Sequence, residues 1–395
     1  MEQRLQRRDI HLILVCATLT LASLLVGTHF FYDAFPEATI DFRITRHESR
    51  VGAASFLEQQ GFDLDEFRHA GVFEFDNQAK TFLERERGLE GASDIIDNPV
   101  RLWRWSNRWF RELQKEEYHV QHTTTGDLVG FSHLVEEEAT GASLTQPLAR
   151  RLAEQFLAQM IELDMGSLEF VEAETTQRPN RVDHLFTWKL SGFEVSEGTY
   201  RYRVRIQGDL VGGYAEFLKV PESWQRQFDE MRSSNEATGL VAGFLMFITC
   251  IAMLIRLVAG IRGQDVRWRT ALTFGAIAFV LTFLSQLNNL PVTIYGFDTT
   301  DTFSMFFTES VLLGLAMALA SGIGIAFVVA GAEPEYRRWY GGQVSVSEQF
   351  LPDGMRTKRF LIGTVIGLTL TAVFVAYQTL FYLVADHFGA WSPAD

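Results

Sequence analysis

The sequence predicts an α-helical transmembrane bundle of five spans joined to one acidic α+β domain. Five apolar runs are each long enough to cross a hydrocarbon core of about 30 Å as a helix. The segment 32–236 carries 37 Asp and Glu against 23 Lys and Arg, whereas the rest of the 395 residues carries 12 of each. Two short motifs recur within that segment, so the domain is expected to hold two similar helix-and-antiparallel-sheet units.

Thr238–Val258 is the clearest span, because its 21 residues contain one charge, Arg256. Ile10–Phe31 follows three arginines and reads either as a signal peptide or as an uncleaved anchor. It exceeds the roughly 7–15 apolar residues of a signal peptide, and no small-x-small cleavage site follows before Pro36, which favours the anchor. The sequence therefore predicts a tail and anchor over 1–31, a soluble domain over 32–236 and a four-helix membrane region over 237–395, with its remaining spans at Ala271–Leu290, Phe303–Ala330 and Phe360–Val384.

Along the chain, loops that contain lysine and arginine alternate with loops that contain none. They occur in the N-terminal tail and in the loops 259–270 and 331–359. The loop 291–302 and the tail 385–395 have none and instead carry Asp298, Asp301, Asp386 and Asp395. Cytoplasmic loops are the basic ones. The pattern predicts a cytoplasmic N-terminus, with the acidic domain and the C-terminus on the outer side.

Small residues at every fourth position predict close packing between spans, where lipid supplies no hydrophobic driving force. The fourth span carries the longest such stripe, Gly314, Ala318, Gly322 and Ala326. Shorter stripes occur in the fifth span (Gly363, Gly367, Thr371) and in the second (Gly239, Gly243).

In the acidic domain, helices are predicted over His47–Gln60, ending at Gly61, over Asn77–Glu90 with Asn77 as cap, and from Thr145 onward. Strands are predicted at 168–173, 182–190, 200–207 and 210–219. The segment RLWRWSNRWFREL fits a strand with its tryptophans on one face, or a helix with its arginines on one face. The strand is preferred, because EEYHVQHTTTGDLVGFSHLV follows as a further strand, turn and strand. Tryptophan in the core with arginine outside is the simpler interpretation, and an Arg/Trp patch that binds anionic lipid or a peptide is the alternative.

An internal duplication is indicated by two matches. TGDLVG at 125–130 recurs as QGDLVG at 207–212, at an offset of 82. The helical pattern around Arg50, Phe56 and Leu57 recurs around Arg150, Phe156 and Leu157, at an offset of 100. The units are expected at 47–138 and 145–220. The first would hold 18 additional residues, which the predicted helix 77–90 would largely supply.

No motif indicates a metal, a cofactor or nucleic-acid binding. His119 and His122 are three apart on a predicted strand and therefore on opposite faces. His133 and His184 are isolated, the glutamates at 116–117 and 136–138 are expected at solvated strand ends, and strong acidity disfavours nucleic acid. Neither HExxH, CxxC, GxSxG nor a phosphate-binding glycine loop occurs.

Glu309 is the one ionisable residue deep within a predicted span, and such carboxylates are functional candidates. It is the weak catalytic candidate of this chain, since a carboxylate can activate water for peptide hydrolysis. The alternative is a glutamate that hydrogen-bonds Gln286, Asn288, Asn289 or interfacial water. On the basic side, Glu333, Glu335, Arg337 and Arg338 are expected to pair locally or to meet lipid headgroups.

The stretches DHLFTW (183–188), YRYRVRIQGDLVGGYAEFLKVPESWQRQFDEMRSSNE (200–236) and GAEPEYRRWY (331–340) resemble large bacterial CPBP-type (Abi) intramembrane proteases with a PepSY-like periplasmic domain. The resemblance implies the bacterial inner membrane and a periplasmic regulatory or substrate-handling module. The chain would be either the N-terminal part of a longer protein with a catalytic domain beyond Asp395, or a form without that domain. No catalytic residue can be transferred, because the Glu-Glu-x-x-x-Arg signature is missing: Gln121 follows Glu116-Glu117 where arginine is required.

Three functions are therefore compatible with the sequence. The chain is either the regulatory or substrate-handling portion of an intramembrane protease-type protein, or a non-enzymatic envelope sensor whose periplasmic domain binds a peptide or another ligand. A transporter is the third, weaker hypothesis, because no span is visibly interrupted by glycine or proline.

Overall fold

The computed structural model describes residues 4–96, 98–339 and 352–388. Within them, five helices are long and apolar enough to cross a membrane, as the sequence predicts, so the chain is a multi-pass membrane protein. In chain order the helices are α1 (Arg7–Ala34), α2 (Arg46–Gln59), α3 (Asn77–Ser93), α4 (Gln146–Gln159), α5 (Glu222–Arg262), α6 (Trp268–Asn288), α7 (Leu290–Tyr295), α8 (Phe303–Trp339), α9 (Pro352–Met355) and α10 (Lys358–His387). The five candidate spans are α1, α5, α6, α8 and α10. Asp395 and Tyr340 lie outside the described residues.

The chain divides into two compact units, of which the first contains Met1–Ala38, Asp229–Asn288 and Val311–Pro393. In this membrane unit α1 packs along α10, with Thr20 and Thr369 joined by a 3.0 Å hydrogen bond and Asp9 and Lys358 by a 2.5 Å ion pair. Both ion-pair partners begin their helices, so the two spans run in the same direction.

The small-residue stripe of the fourth span is a packing surface, as predicted. A Cβ atom at Gly322 would lie 2.8 Å from the carbonyl oxygen of Gly275 in α6, so only glycine permits that approach. The shorter stripes differ, because a Cβ atom at Gly239, Gly243, Gly363 or Gly367 would meet no other element of the described chain within 4 Å. For those two spans the sequence pattern does not correspond to packing within the described residues.

Residues at the end of α8 pair locally, as predicted, and also form ion pairs that were not predicted, with Arg256 of α5 and with Arg267 before α6. Glu333 binds Arg337 at 2.8 Å and Arg267 at 3.6 Å, and Glu335 pairs with Arg338 and Arg256. Arg256, the lone charge of the second span, thus has a carboxylate partner at the end of the fourth span.

The second unit, here called the sheet unit, contains Thr39–Phe228 and Asn289–Ser310. Its strands form one antiparallel sheet in the order β1-β2-β3-β4-β8-β7-β6-β5. The strands are β1 (Arg68–Phe75), β2 (Trp103–Phe110), β3 (Glu117–Thr123), β4 (Leu128–Leu134), β5 (Leu168–Gln177), β6 (Val182–Leu190), β7 (Thr199–Gln207) and β8 (Leu210–Lys219).

Two consecutive runs of the chain have the same plan, a helix followed by a four-stranded meander. The first repeat is α2 with β1–β4, the second is α4 with β5–β8, and they meet where β4 pairs with β8. Both the helices and the first strands begin 100 residues apart, whereas the third and fourth strands begin 82 apart. Helix α3, inserted between β1 and β2, accounts for the change, so it occupies the place that the two offsets indicate.

Some local predictions need correction. Strand β1 was not predicted, because the run RHAGVFEF has only a weak alternation of polar and apolar residues. Asp76 rather than Asn77 caps α3, since its carboxylate accepts the N–H of Ala79 at 2.9 Å. Helix α2 is capped by Thr45, which exchanges hydrogen bonds with Glu48. Gly61 follows α2 with a φ of +88°, as a helix stop requires.

The two faces of the sheet are covered differently. Helices α2 and α4 pack on one face, where the rings of Phe56 and Phe131 and those of Phe156 and Tyr214 meet at 5.2 and 5.6 Å. The opposite face is here called the helix-free face, because neither α2 nor α4 covers it. On it the connecting loop 289–303 between the third and fourth spans, with its short helix α7, lies over the first repeat. The helix-free face of the second repeat carries no such loop in the described chain.

Candidate ligand-binding groove on the open face of the sheet

Arg108 on β2 attaches the connecting loop to the sheet. Its Nη1 donates to the carbonyl oxygens of Tyr295 and Phe297, each at 2.7 Å, while its Nε donates to Glu117 at 2.7 Å. Only 8% of Arg108 is exposed. Three charge-assisted hydrogen bonds to two elements of the fold are a strong local constraint.

Glu117, which the sequence predicts at a solvated strand end, is in fact buried, with 7% of its surface exposed. The prediction fails because the connecting loop covers this strand end. Burial opposes the charged form of the carboxyl, but hydrogen bonds from His119 and Arg108 outweigh it and lower the pKa of Glu117 to about 2. The Arg108–Glu117 pair is therefore charged at any physiological pH.

Apolar contacts reinforce this attachment. Phe297 is 1% exposed and its ring lies 5.2 Å from that of Phe110. The guanidinium of Arg68 lies 4.1 Å above the ring of Phe303. Leu113 donates its backbone N–H to Thr299 at 2.7 Å. These contacts make the loop that connects the third and fourth spans an integral part of the sheet unit.

Beside this loop, the helix-free face forms an open groove of about 370 Å³ across β3, β4, β8 and β7. Its polar side chains are His119 and Gln121 from β3, Ser132 from β4, and Arg203 and Arg205 from β7. The ring of His119 lies 6.3 Å from that of Tyr295, so one end of the groove adjoins the attached loop.

Small residues form the floor of the groove at the centre of the sheet. Gly213 pairs with Ser132, and Ala215 pairs with Gly130, across the β4–β8 junction. A Cβ at Gly213 would lie 3.4 Å from the carbonyl oxygen of Phe131. The side chain of Gln121 lies over Gly130. At Ser132, Gly213 and Ala215, which carry short side chains or none, a ligand can approach the backbone of the sheet.

The groove is cationic although the domain as a whole is acidic. The guanidinium of Arg203 lies 4.6 Å above the ring of Phe217, and its Nε is buried without a hydrogen-bond acceptor among the described residues. Arg205 is exposed on the same strand face. Neither arginine makes an ion pair within the part of the chain that the structure describes. A second cavity of about 240 Å³ shares Leu185 and Arg205 with the groove, but Arg178 in its lining is paired with Glu137 and Asp183.

The sequence-predicted candidates are distributed as follows. His119 and His122 lie on opposite faces, as predicted, with His119 at the groove and His122 buried under α2. Trp103 and Trp109 are buried on the helix side of a strand, as predicted, but Arg108 is not outside. The described residues contain no group of three or more His, Cys, Asp and Glu able to hold a metal ion.

Glu309 lies in the second turn of α8 with its side chain exposed. It makes no hydrogen bond or ion pair with any residue that the structure describes, including Gln286, Asn288 and Asn289. No second candidate group for catalysis is therefore brought to it among these residues.

A buried polar cluster under α2 was missed at the level of sequence. Asn107 donates to the hydroxyl of Ser49 at 2.8 Å, Ser49 lies 3.5 Å from Nδ1 of His122, and Nε2 of His69 lies 2.9 Å from Oδ1 of Asn107. Burial lowers the pKa of His122 to about 4. The four residues are 73 positions apart at most. A sequence signal exists for two of them, because Ser49 and His122 are polar where the second repeat has Ala149 and Val204.

Comparisons with models of known protein families, with curated proteins and with solved structures found no match to this chain.

Proposed function

We propose that this protein is a non-enzymatic membrane sensor that binds an acidic peptide segment in the groove of its sheet unit. One observation carries the proposal: Arg203, Arg205 and His119 line an open groove, with neither arginine engaged by a carboxylate of the described chain. Guanidinium groups hold carboxylates through paired hydrogen bonds. A volume near 370 Å³ lies in the range of small-ligand sites, roughly 300–1,000 Å³.

Electrostatics within the groove favour an acidic ligand over a basic one, although the domain as a whole is acidic. At long range, an excess of 14 acidic residues repels a polyanion. Short-range contacts decide binding within the groove, where screening limits distant charges to about one Debye length, roughly 8 Å. The local cations therefore determine which segment is retained once it reaches the sheet.

The outer side of a bacterial inner membrane is the proposed location of the sheet unit. The connecting loop 289–303 packs on the sheet, so loop and sheet share one side of the membrane. That side is proposed to be the outer one, because the loop 291–302 has no lysine or arginine whereas the loops on the other side do. The resemblance to CPBP-type proteins implies the inner membrane and a periplasmic setting.

Binding would reach the spans through the attached loop. His119 lines the groove, contacts Tyr295 and hydrogen-bonds Glu117 at 3.3 Å, and Glu117 binds Arg108. A ligand that moves His119 thereby acts on the residue that holds the loop between the third and fourth spans. Coupling of this kind requires different contacts in the free and bound states.

The test uses the purified full chain in detergent and two fluorescent peptides of equal length, identical except that glutamates in one are lysines in the other. We expect the glutamate peptide to bind more tightly, and the double variant R203Q/R205Q to weaken its binding about tenfold or more. The matched control R87Q/R151Q removes two exposed arginines from helices and should bind normally. Equal binding of both peptides, or equal loss in both variants, contradicts the proposal.

The same groove would serve the substrate-handling role that the protease resemblance implies, with Glu309 as the candidate carboxylate of this chain. Incubation of the bound peptide with wild-type protein and with E309Q separates the two functions. Hydrolysis that disappears in E309Q would replace the sensor by the protease. The sensor predicts an intact peptide in both samples.

A further inference from the structure

A second pocket, separate from the groove, lies where α2, β1 and α7 meet and has a volume of about 270 Å³. Its cationic wall consists of Arg46, His47 and Arg50 from the first two turns of α2, with His69 of β1 beside them. Arg46 and Arg50 are four positions apart and therefore project from the same side of the helix. The pocket thus gathers two guanidinium groups and two imidazoles.

The arginines of this pocket are not neutralised. Both are exposed, and neither makes an ion pair within the described part of the chain. By contrast, Arg43, Arg108 and Arg111 of the same repeat each bind a carboxylate at 2.7 Å. Because no carboxylate of the described chain neutralises Arg46 and Arg50, the pocket has a positive electrostatic potential within an acidic domain.

The buried polar cluster engages one ring nitrogen of His69. Its Nε2 donates to Oδ1 of Asn107 at 2.9 Å, so Nδ1 can donate to an anion only when the ring is protonated. Burial lowers the pKa of His69, with a smaller contribution from the nearby positive charge of Arg50. An anion beside the ring would offset the effect of the Arg50 charge, raise the pKa of His69 and favour its protonated form. Gly71 gives the ring its room, since a Cβ there would lie 3.2 Å from it.

The opposite wall is apolar and comes from the segment that follows the third span. Pro291 and Ile294 belong to α7, which begins two residues after α6 ends. Ile294 also packs against the buried cluster of Ala70, Phe110 and Phe297. A cationic wall facing an apolar wall matches a ligand whose anionic group is attached to an apolar body.

We infer that this pocket binds a phosphate group between Arg46, Arg50 and His69. Arginine is suited to phosphate because its planar donors bind two oxygens at once. The apolar wall and the closeness in sequence to the end of a span favour phosphate carried by a lipid headgroup. Free phosphate presents the same chemistry without the apolar body. This inference does not depend on peptide binding in the groove.

The experiment measures the affinity of the full chain in detergent for phosphatidylglycerol, by mass spectrometry of the intact protein–lipid complex. We expect R46Q/R50Q to weaken that affinity about tenfold or more. R46K/R50K, which keeps the charge but loses the paired donors, should recover part of it. The control R87Q/R151Q lowers the net charge equally and should bind as the wild type does. Circular dichroism confirms that each variant is folded.

A second arm adds inorganic phosphate and follows thermal unfolding. A lipid headgroup site predicts retention of phosphatidylglycerol with little response to phosphate, and a free-phosphate site predicts stabilisation of the wild type but not of R46Q/R50Q. The inference is overturned if R46Q/R50Q binds both ligands as the wild type does, if neither ligand binds, or if R87Q/R151Q loses as much affinity.

Discussion

The two repeats of the sheet unit share an element order but present their helix-free faces differently. Arg108 pairs with His119 in the first repeat, and Lys189 pairs with Arg201 in the second. Because Arg201 lies 82 residues after His119, the offset of the third strands, Lys189 occupies the position equivalent to Arg108. Arg108 is buried under the connecting loop, whereas Lys189 makes an exposed ion pair with Glu169 at 2.8 Å. One plan therefore serves for attachment in one copy and leaves an open surface in the other.

The helix sides of the repeats differ as well. Under α4, Ala149 and Val204 occupy the positions that Ser49 and His122 hold under α2, by the same offsets of 100 and 82. All four residues are buried. The first repeat thus has a polar core cluster where the second has an apolar one. The comparison teaches that a few substitutions at equivalent positions separate a repeat with a polar core cluster and an attached loop from one with an apolar core and an open face.

The largest expected effect comes from removing Arg108. In R108Q the buried carboxylate of Glu117 loses its cation and two carbonyl oxygens lose a charged donor. Breaking a buried pair by deleting one partner costs about 3–5 kcal/mol. We expect the sheet unit to unfold at a correspondingly lower temperature, measured in detergent by the fluorescence of its tryptophans.

The matched variant K189Q should change the free energy of unfolding by less than about 1 kcal/mol, because exposed ion pairs contribute little. Limited proteolysis should also show faster cleavage within 289–303 in R108Q than in K189Q. Equal destabilisation of the two variants would contradict the view that the loop attachment separates the repeats.

The next effect is a loss of stability in acid that comes from His122 in the first repeat. The pKa of His122 is about 4 in the folded protein against an ordinary 6.5. Above pH 6.5 the imidazole is neutral in both states, so stability is fully present. Between pH 6.5 and 4 the unfolded chain takes up a proton that the folded chain refuses, and about 3 kcal/mol is lost.

H122V should remove this loss of stability, because valine does not take up a proton. The variant should fold, since Val204 occupies the equivalent position in the second repeat. The measurement is thermal unfolding of both proteins at a series of pH values from 7.5 to 4.5. Glu117 acts in a different window, since a carboxyl with its pKa lowered to about 2 loses its stabilisation only below about pH 4.5. A wild type and H122V with parallel pH profiles would assign the acid sensitivity to another group.

Much of this fold follows from periodicity and composition. The five spans are long uncharged runs, and the second meander is marked by strands with strong alternation, such as YRYRVRIQ. The inserted helix follows from the change in offset. These features are local, so the sequence contains them.

What the sequence does not contain is the partner that covers a strand. Glu117 is part of a polar run and looks solvated, because nothing near it in sequence indicates that residues 295–299 lie over it. The groove is similarly non-local, since Ser132, Arg203 and Gly213 become neighbours only through the β4–β8 pairing. Strand β1 could have been found by applying the offset of 100 to β5, because the duplication constrains elements whose own pattern is weak.

The smallest expected effect compares the equivalent turns of the two repeats, TGDLVG and QGDLVG. Gly126 and Gly208 both have positive φ, +109° and +65°, so an alanine at either position is strained by about 1 kcal/mol or more. A Cβ at Gly208 would also lie 2.8 Å from the backbone nitrogen of Ala142, whereas at Gly126 it meets only the side chain of Ile44 at 3.6 Å. Because backbone must move to relieve the first contact, G208A should cost about 1–3 kcal/mol more than G126A. Chemical denaturation of the two variants, followed by tryptophan fluorescence, measures the difference, and equal costs would show that the turns of the two repeats are packed alike.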